Sequence, residues 1–412
     1  MDNLFSLTTI IRNENTEGRH VYSAFLDMKK AFDWVDRDIL NYKLLSVGIN
    51  GKIYEAIKQL YRQTTSCIKL NSSTTEWFDV KSGVRQGDSL SPTLFNIYIN
   101  DLVNELNSLN IGININGRQI CCLLYADDIV IFCNSEENLQ KLLDRVHSWC
   151  LKWKMQLNYT KSNIVHFRTN RRPRTTFSFK CGNNDLLTLN NYKYLGVLLD
   201  EHLNFAKGVE ELCHSAGRAL GSVIGKFKRL RNVGFNTYTN LYNACVRPII
   251  EYSSAIWKDK RYTECNKIFN RAIRYLLGLP RNTPIGGMHG DMGWITPKYN
   301  IYLNKIRLWN RFSSMHPDRL AKCVFEWDWL KRNNNWSSEL LLLFKKLEMS
   351  DAFYNQSYCD TKNVECKLYY LCSEEWKESL LSFPKLRTYT KFKSVFSVEP
   401  YLLMNLPKSK RC

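Results

Sequence analysis

Hydrophobic positions change period along this chain, and each change marks an element. His20-Val21-Tyr22-Ser23-Ala24-Phe25-Leu26 is dense in β-formers and reads as a strand, with Asp27 at its carboxyl end. From 36 to 47 the residues Ile39, Leu40, Leu44 and Val47 fall at helical spacing, and Gly48 is placed to stop the helix. A second helix over about 52 to 61 carries Ile53, Ile57, Leu60 and Tyr61 on one face. Residues 67–70 and 76–80 look like hairpin strands joined by a Ser/Thr/Asn turn. Ser91 as N-cap and Pro92 at the first helical position open the next helix, whose buried stripe is Phe95, Ile99, Leu102 and Leu106.

Two apolar runs then flank a polar tip. Cys121-Cys122-Leu123-Leu124 and Ile129-Val130-Ile131-Phe132-Cys133 read as hairpin strands with Tyr125-Ala126-Asp127-Asp128 at the turn. Two carboxylates in such a context are costly unless a cation or solvent meets them. Taken alone, the tetrapeptide is better explained by an Asp-rich solvated turn. Asp27 changes that balance, because it is a third carboxylate at the end of an apolar strand. Two or three carboxylates from neighbouring strands suit Mg²⁺, which takes oxygen ligands and keeps positions for water and phosphate. Asp33, Asp36 and Asp38 crowd the same region and are expected to cap and charge the following helix.

Helical spacing dominates after the hairpin. Asn134 or Ser135 caps a helix running to about 157, with Leu139, Leu142, Val146, Trp149 and Trp153 as its apolar face; the Trp pair reads as core. From about 206 to 230, Val209, Leu212, Ala216, Leu220, Val223, Phe227 and Leu230 form an apolar stripe, while Lys207, Arg218, Lys226, Lys228, Arg229 and Arg231 supply charge. A helix from about 236 is interrupted near Pro248, and another over 264–277 ends at Gly278-Leu279-Pro280. The glycines and prolines of 281–299 read as a linker without a phosphate-binding Gly-Lys-Ser/Thr loop. The mixed helical, Trp-rich segment to Cys412 says nothing about chemistry.

Charge sharpens this picture. The 412 residues carry a net charge of +19, and residues 161–281 hold 21 Lys or Arg against 8 Asp or Glu. Most of the excess therefore follows the acidic hairpin, where a polyanion beside a carboxylate metal site would be neutralised by it. The 14 cysteines lie largely in apolar runs and read as reduced thiols, and Cys359, Cys366 and Cys372 are spaced too widely for a metal knuckle. No apolar stretch is long enough to span a bilayer, and Asp2 with no basic leader does not look like a targeting peptide. The expected location is cytoplasmic or nuclear, and Arg171-Arg172-Pro173-Arg174 and Lys408-Ser409-Lys410-Arg411 are either loops or nuclear signals.

Four motifs in order make the pattern specific. Phe25-Leu26-Asp27 with Ala31-Phe32-Asp33, Arg85-Gln86-Gly87-Asp88-Ser89-Leu90-Ser91-Pro92, Tyr125-Ala126-Asp127-Asp128 and Tyr194-Leu195-Gly196 resemble the palm motifs of reverse transcriptases. Their wording is closest to non-LTR, LINE-type retrotransposons, over about residues 10 to 280. The fold implied is α+β: a right-hand polymerase palm, an antiparallel sheet with helices, then a helical thumb and a mostly helical C-terminal region. The expected boundaries are 1–200 for the palm with a residual fingers segment, 201–280 for the thumb, 281–299 for the linker and 300–412 for a region of unknown role.

The resemblance also implies roles. Asp27, Asp127 and Asp128 would be catalytic and bind two Mg²⁺ ions, with Mn²⁺ as an alternative, for transfer of a deoxynucleotide to a primer 3′-hydroxyl. Phe32 would close off the ribose 2′ position, Gln86 and Gly87 would meet the incoming nucleotide and template, and Lys161 would lie near the phosphates. On physics alone Phe32 reads as a core aromatic, while Gln86-Gly87 is equally an ordinary glycine turn and Lys161 equally one more surface lysine. Tyr194, Leu195 and Gly196 match the turn that grips the primer end. The implied partners are an RNA template, a DNA primer and deoxynucleoside triphosphates, with no membrane; the oligomeric state is left open.

A rival expectation is a non-catalytic nucleic-acid-binding remnant. Only 26 residues precede Asp27, where reverse transcriptases have fingers that clamp the triphosphate, so the chain resembles a truncated copy expected to bind nucleic acid and extend a primer poorly. No endonuclease is recognisable upstream and no ribonuclease H carboxylate set downstream. A nucleotidyl cyclase would explain the carboxylates but not the basic helix.

Overall fold

The β-formers after His20 do form a strand, and it becomes an inner strand of a six-stranded sheet. The computed structural model describes residues 1–230, 234–257 and 262–404. The chain divides into two bodies, one of Ile10–Gly196 with Asp200–Leu203, the other of Met1–Thr9, Val197–Leu199 and Asn204–Cys412.

In the first body the order is α1 (Asp2–Thr16, entering at Ile10), β1 (Val21–Asp27), α2 (Arg37–Ser46), α3 (Gly51–Arg62), α4 (Ser91–Asn107), β2 (Cys122–Tyr125), β3 (Asp128–Cys133), α5 (Glu136–Lys152), β4 (Asn163–Phe167), β5 (Phe179–Cys181), β6 (Asn184–Leu189) and β7 (Asn191–Tyr194). The sheet runs β5-β6-β4-β1-β3-β2; β1 is antiparallel to both β3 and β4, and β4 to β6 is the parallel pair. Its strands alternate faces. Ala24, Leu26, Ile129 and Ile131 join α4 and α5 residues such as Phe95, Leu102, Leu142 and Val146 in one core.

Local signals explain most boundaries. Asp36 caps α2 by accepting from the N–H groups of Asp38 and Ile39, and Gly48 turns left-handed at φ +84 after the helix. Ser135 caps α5 by accepting from Asn138 N–H. Ser91 proves to be inside α4 rather than its cap; Leu90 takes the cap position, and Ser91 Oγ donates to Arg85 O at 2.5 Å. The expected run of α5 to 157 also stops short. The helix ends at Lys152, Lys154 turns left-handed at φ 54, and Leu157 instead bridges to Met28 beside β1. The hairpin over 65–79 is made of two-residue strands.

Trp149 is a core residue, as its spacing suggested, and Trp153, just past the helix end, is half-buried against that core; together they box a cation. Lys43 Nζ lies 4.0 Å from the Trp153 ring centre, 4.6 Å from Tyr98 and 4.9 Å from Trp149. It donates to Tyr98 O and to Asp101 Oδ1, which also accepts from Trp149 Nε1. Burial lowers the Lys43 pKa and Asp101 opposes that shift. The cation is thus held by rings and one carboxylate.

The second body is helical: α6 (Ala206–Arg229), α7 (Phe235–Cys245), α8 (Arg247–Ile250), α9 (Tyr262–Leu277), α10 (Ile285–Met292), α11 (Pro297–Ser313), α12 (Leu320–Lys331), α13 (Trp336–Lys346), α14 (Ser350–Tyr354) and α15 (Thr361–Ser382). The apolar stripe of α6 is Val209, Cys213, Ala216, Leu220, Val223 and Phe227; Leu230, expected on it, is exposed beyond the helix end. The stretch 281–299, expected as a linker, contains α10, packed on α9 and α15. Its glycines permit close approach: a Cβ on Gly290 would lie 2.5 Å from Tyr389 Oη and 2.6 Å from the Trp376 ring. The residues expected as thumb and as C-terminal region share this body, whose core includes Phe5, Phe312 and Trp336 in mutual ring contact.

Candidate active site

Two strand ends bring the acids together. In the β1–β3 ladder Asp27 stands opposite Asp128, and in the β2–β3 hairpin Tyr125 does, leaving Ala126 and Asp127 as a two-residue turn. Directly opposed residues in an antiparallel pair have Cβ atoms about 4.5–5.5 Å apart, and like charges there repel. Asp27 and Asp128 share the sheet face of Phe25 and Val130, opposite the α4–α5 core. Ala126 sits left-handed at φ 51, where a two-residue hairpin favours glycine, so the turn carries strain of roughly 1–2 kcal/mol.

The electrostatics follow from that placement. Burial raises the pKa of Asp128, and the charges of Asp127 and Asp27 raise it further. A cation at this position would relieve both effects. Among the described residues no three His, Cys, Asp or Glu side chains form a ready-made metal set. Carboxylates opposed in this way suit a cation that takes oxygen ligands and keeps positions for water and phosphate, as Mg²⁺ commonly does.

Asp27 is fixed from both sides of its backbone. Its N–H donates to Ser162 Oγ (3.1 Å), its carbonyl accepts from Asn158 N–H (2.8 Å), and Lys29 N–H donates to Gln156 O (2.8 Å). The segment after α5 is thereby stitched beside the strand end. A cavity of about 420 Å³ results, lined by Asp27, Phe32, Gln86, Asp127, Asn158 and Lys161, with Lys29 and Lys30. Asp128 is not on its wall; it stands beside Asp27 in the ladder.

Other expected site residues fall into two groups. Phe32, Gln86 and Lys161 reach the cavity: Phe32 is half-buried and stacked on Phe95 (4.9 Å), and Gln86 Nε2 donates to Asp33 Oδ1 (2.9 Å). That bond gives Asp33 a role other than the helix capping expected of it. Lys161 is exposed, while its carbonyl accepts from Asn163 Nδ2 and Tyr192 Oη. Gly87 makes a left-handed turn at φ +89 with open space around it. Gly83 is different: a Cβ there would lie 2.9 Å from Asp33 O, so this glycine admits the chain's own backbone rather than a ligand.

Tyr194 leads into the expected turn, with Leu195 and Gly196 left-handed at φ 45 and 80. The Tyr194 ring, however, is buried against Phe25 (5.4 Å). Sequence reasoning missed Tyr192, two residues earlier. Its ring stacks on Phe25 (4.4 Å), and burial pushes its pKa up to about 12, with Asp128 and Asp27 adding to the shift. The available signal was the period-two pair Tyr192 and Tyr194, which put both rings on one face.

Arg37 was missed as well. Its guanidinium donates to four carbonyls, those of Gly83 (3.0 Å), Tyr61 (3.1 Å), Val80 (2.8 Å) and Ser82 (3.2 Å). It ties the end of α3 to the strand leading into the Gln86 loop, and borders a groove of about 1370 Å³ that also holds Lys58, Arg62 and Lys81.

In the second body Lys207, Arg218, Lys226, Lys228 and Arg229 are all exposed on α6. Arg231, and the basic run 408–411, lie outside the described residues. The described cysteines are free, and no helix among the described residues is long and apolar enough to cross a membrane.

Comparison with known proteins agrees with the motifs. Residues 2–199 match the family model described as Reverse transcriptase (RNA-dependent DNA polymerase). The RNA-directed DNA polymerase from mobile element jockey of Drosophila funebris is 28% identical over 313 residues, covering 73% of this chain and 33% of that protein. The Retrovirus-related Pol polyprotein from type-1 retrotransposable element R2 of Nasonia vitripennis is 24% identical over 356 residues, covering 81% of this chain and 33% of that protein. The chain thus spans about a third of the length of these relatives. The apo telomerase of Candida tropicalis aligns with a TM-score of 0.41 at 10% identity, over 96% of this chain and 57% of that one. Over residues 2–199 the chain is similar to reverse transcriptases, and the relatives it resembles are polymerases of non-LTR, LINE-type retrotransposons.

Proposed function

We propose that the chain is an RNA-directed DNA polymerase that joins a deoxynucleotide to a primer 3′-hydroxyl on an RNA template. The observation that carries this reading is the cross-strand pairing of Asp27 with Asp128, with Asp127 on the wall of a cavity that also presents Lys161, Gln86 and Phe32. Asp27 and Asp127 would hold divalent cations, Mg²⁺ or Mn²⁺, with Asp128 completing the negative field. Two such ions, when bound, would supply Lewis-acid activation of the attacking hydroxyl and charge stabilisation of the leaving pyrophosphate.

The chain's own groups do the rest. Lys161 offers an ammonium to the triphosphate, and the Gln86 amide, oriented by Asp33, meets sugar or base edges without adding charge. Phe32, backed by Phe95, is a rigid wall where a 2′-hydroxyl would have to fit. Lys58, Arg62 and Lys81 in the adjoining groove suit a template backbone, and the exposed cations of α6 suit a thumb against the duplex.

The test is extension of a labelled primer on an RNA template with Mg²⁺ and deoxynucleotides. Extension that Asp127→Asn abolishes supports the polymerase reading. Salt-sensitive binding of primer-template with no extension under either metal would favour a non-catalytic nucleic-acid binder instead.

A further inference from the structure

The second body has a cavity of about 980 Å³ walled by α9, α10, α11 and α15. Four of its wall residues are cations, Arg274, Arg281, Lys298 and Lys346, against one carboxylate, Glu375. Glu375 is already engaged, accepting from Lys298 Nζ (2.8 Å) and from Tyr299 Oη (2.5 Å). Arg274 and Arg281 line the same space, and Lys346, whose charge helps to hold the Glu375 pKa down, adds a third cation to the wall.

Two polar atoms of the same wall are stranded. Arg274 Nε and Asn266 Oδ1 are out of contact with solvent and hydrogen-bond to nothing among the described residues. Each such buried group destabilises the fold until a partner meets it. A cationic donor and an amide acceptor, both on α9, suit a ligand that carries an anionic acceptor and its own N–H or O–H donor.

The remaining wall narrows the ligand further. Tyr302, Trp376 and Phe383 line the cavity; Trp376 is pinned by its indole N–H on Gly286 O (2.8 Å), and Phe383 is half exposed. A bare inorganic anion would use neither the rings nor most of the volume. Base-stacking aromatics interleaved with phosphate-binding cations are how proteins hold single-stranded nucleic acid.

We propose that this cavity is a nucleotide-binding site, with phosphate on Arg274, Arg281 and Lys346 and a base against Phe383 and Tyr302. The nucleotide is either free or part of a single strand. This site is independent of the carboxylate cavity, and it stands whether or not the chain polymerises.

The test is photo-crosslinking of the full chain to a short oligouridylate containing thiouridine, with crosslinked residues assigned by mass spectrometry. Crosslinks are expected at Tyr302, Trp376 or Phe383. Arg281→Glu with Lys346→Glu changes exposed positions that leave the fold intact, and should cut the yield there about tenfold, equivalent to about 1.4 kcal/mol. Crosslinks within 1–230 serve as the internal standard. Displacement by uridine 5′-monophosphate would identify a free nucleotide as the occupant, and persistence would identify a strand. Crosslinks confined to 1–230, an unchanged yield in the charge-reversed chain, or equal displacement by inorganic phosphate would overturn the assignment.

Discussion

Asp27 and Asp128 face each other across the β1–β3 ladder, and Asp128 is held there partly buried beside two other carboxylates. Burial and two neighbouring carboxylates raise its pKa, so the folded chain holds this proton more tightly than the unfolded one. Stability from this group is present at low pH and is lost as pH rises through its folded pKa. Asp128→Asn should therefore melt higher than the parent in EDTA at pH 8, with the difference shrinking as pH falls to about 4, the ordinary aspartate range. Added Mg²⁺ should raise the parent's melting temperature more than the variant's. Equal melting of the two chains at both pH values would contradict the coupling.

Arg37 should be a positioning residue whose loss loosens the Gln86 loop. Arg37→Ala leaves the carbonyls of Gly83, Tyr61, Val80 and Ser82 without their shared donor, at an expected cost of about 1–3 kcal/mol in urea denaturation. Hydrogen exchange over 80–88 should quicken. Arg37→Lys should recover little of the loss, because an ammonium cannot reproduce the planar fork. Full rescue by lysine would mean that only the charge matters.

Phe32→Val should raise ribonucleotide use relative to deoxynucleotide by roughly 10- to 200-fold, the range expected when a pocket wall recedes by a few carbons. It should also cost about 1 kcal/mol of stability, since the ring stacks on Phe95. Competitive incorporation assays with paired nucleotides measure the first effect, and thermal melting the second. A stability loss with unchanged sugar preference would reduce Phe32 to packing.

What could be read from the chain was whatever local physics decides. Apolar runs ending in Asp27 and flanking Asp127-Asp128 put the acids at strand ends, and Asp36 and Gly48 bracketed α2. What escaped depends on partners far along the chain. The glycines of α10 look like a linker until Trp376 and Tyr389 are seen against Gly290, and α5 looks longer until Leu157 is seen bridging to Met28. At the site, Arg37 reads as an ordinary helix-start cation, because its four acceptors are main-chain carbonyls that no side-chain pattern reports. Tyr194 drew attention as part of a motif, yet its ring is in the core and Tyr192 is the tyrosine that feels Asp27 and Asp128.

The exposed cations at the end of α6 should contribute phosphate contacts that salt can titrate. Lys226 and Arg229 are one turn apart on a helix whose other face is buried through Val223 and Phe227, so charge reversal there leaves the packing untouched. Each phosphate neutralised contributes about 0.9 to the slope of log affinity against log salt. Lys226→Glu with Arg229→Glu should therefore lower that slope by about 2 and weaken binding most at low salt. Fluorescence anisotropy on a labelled primer-template duplex across a salt series measures both quantities. A weaker affinity with the same slope would point to a general field effect rather than contact, and an unchanged slope and affinity would move the duplex-binding face off α6.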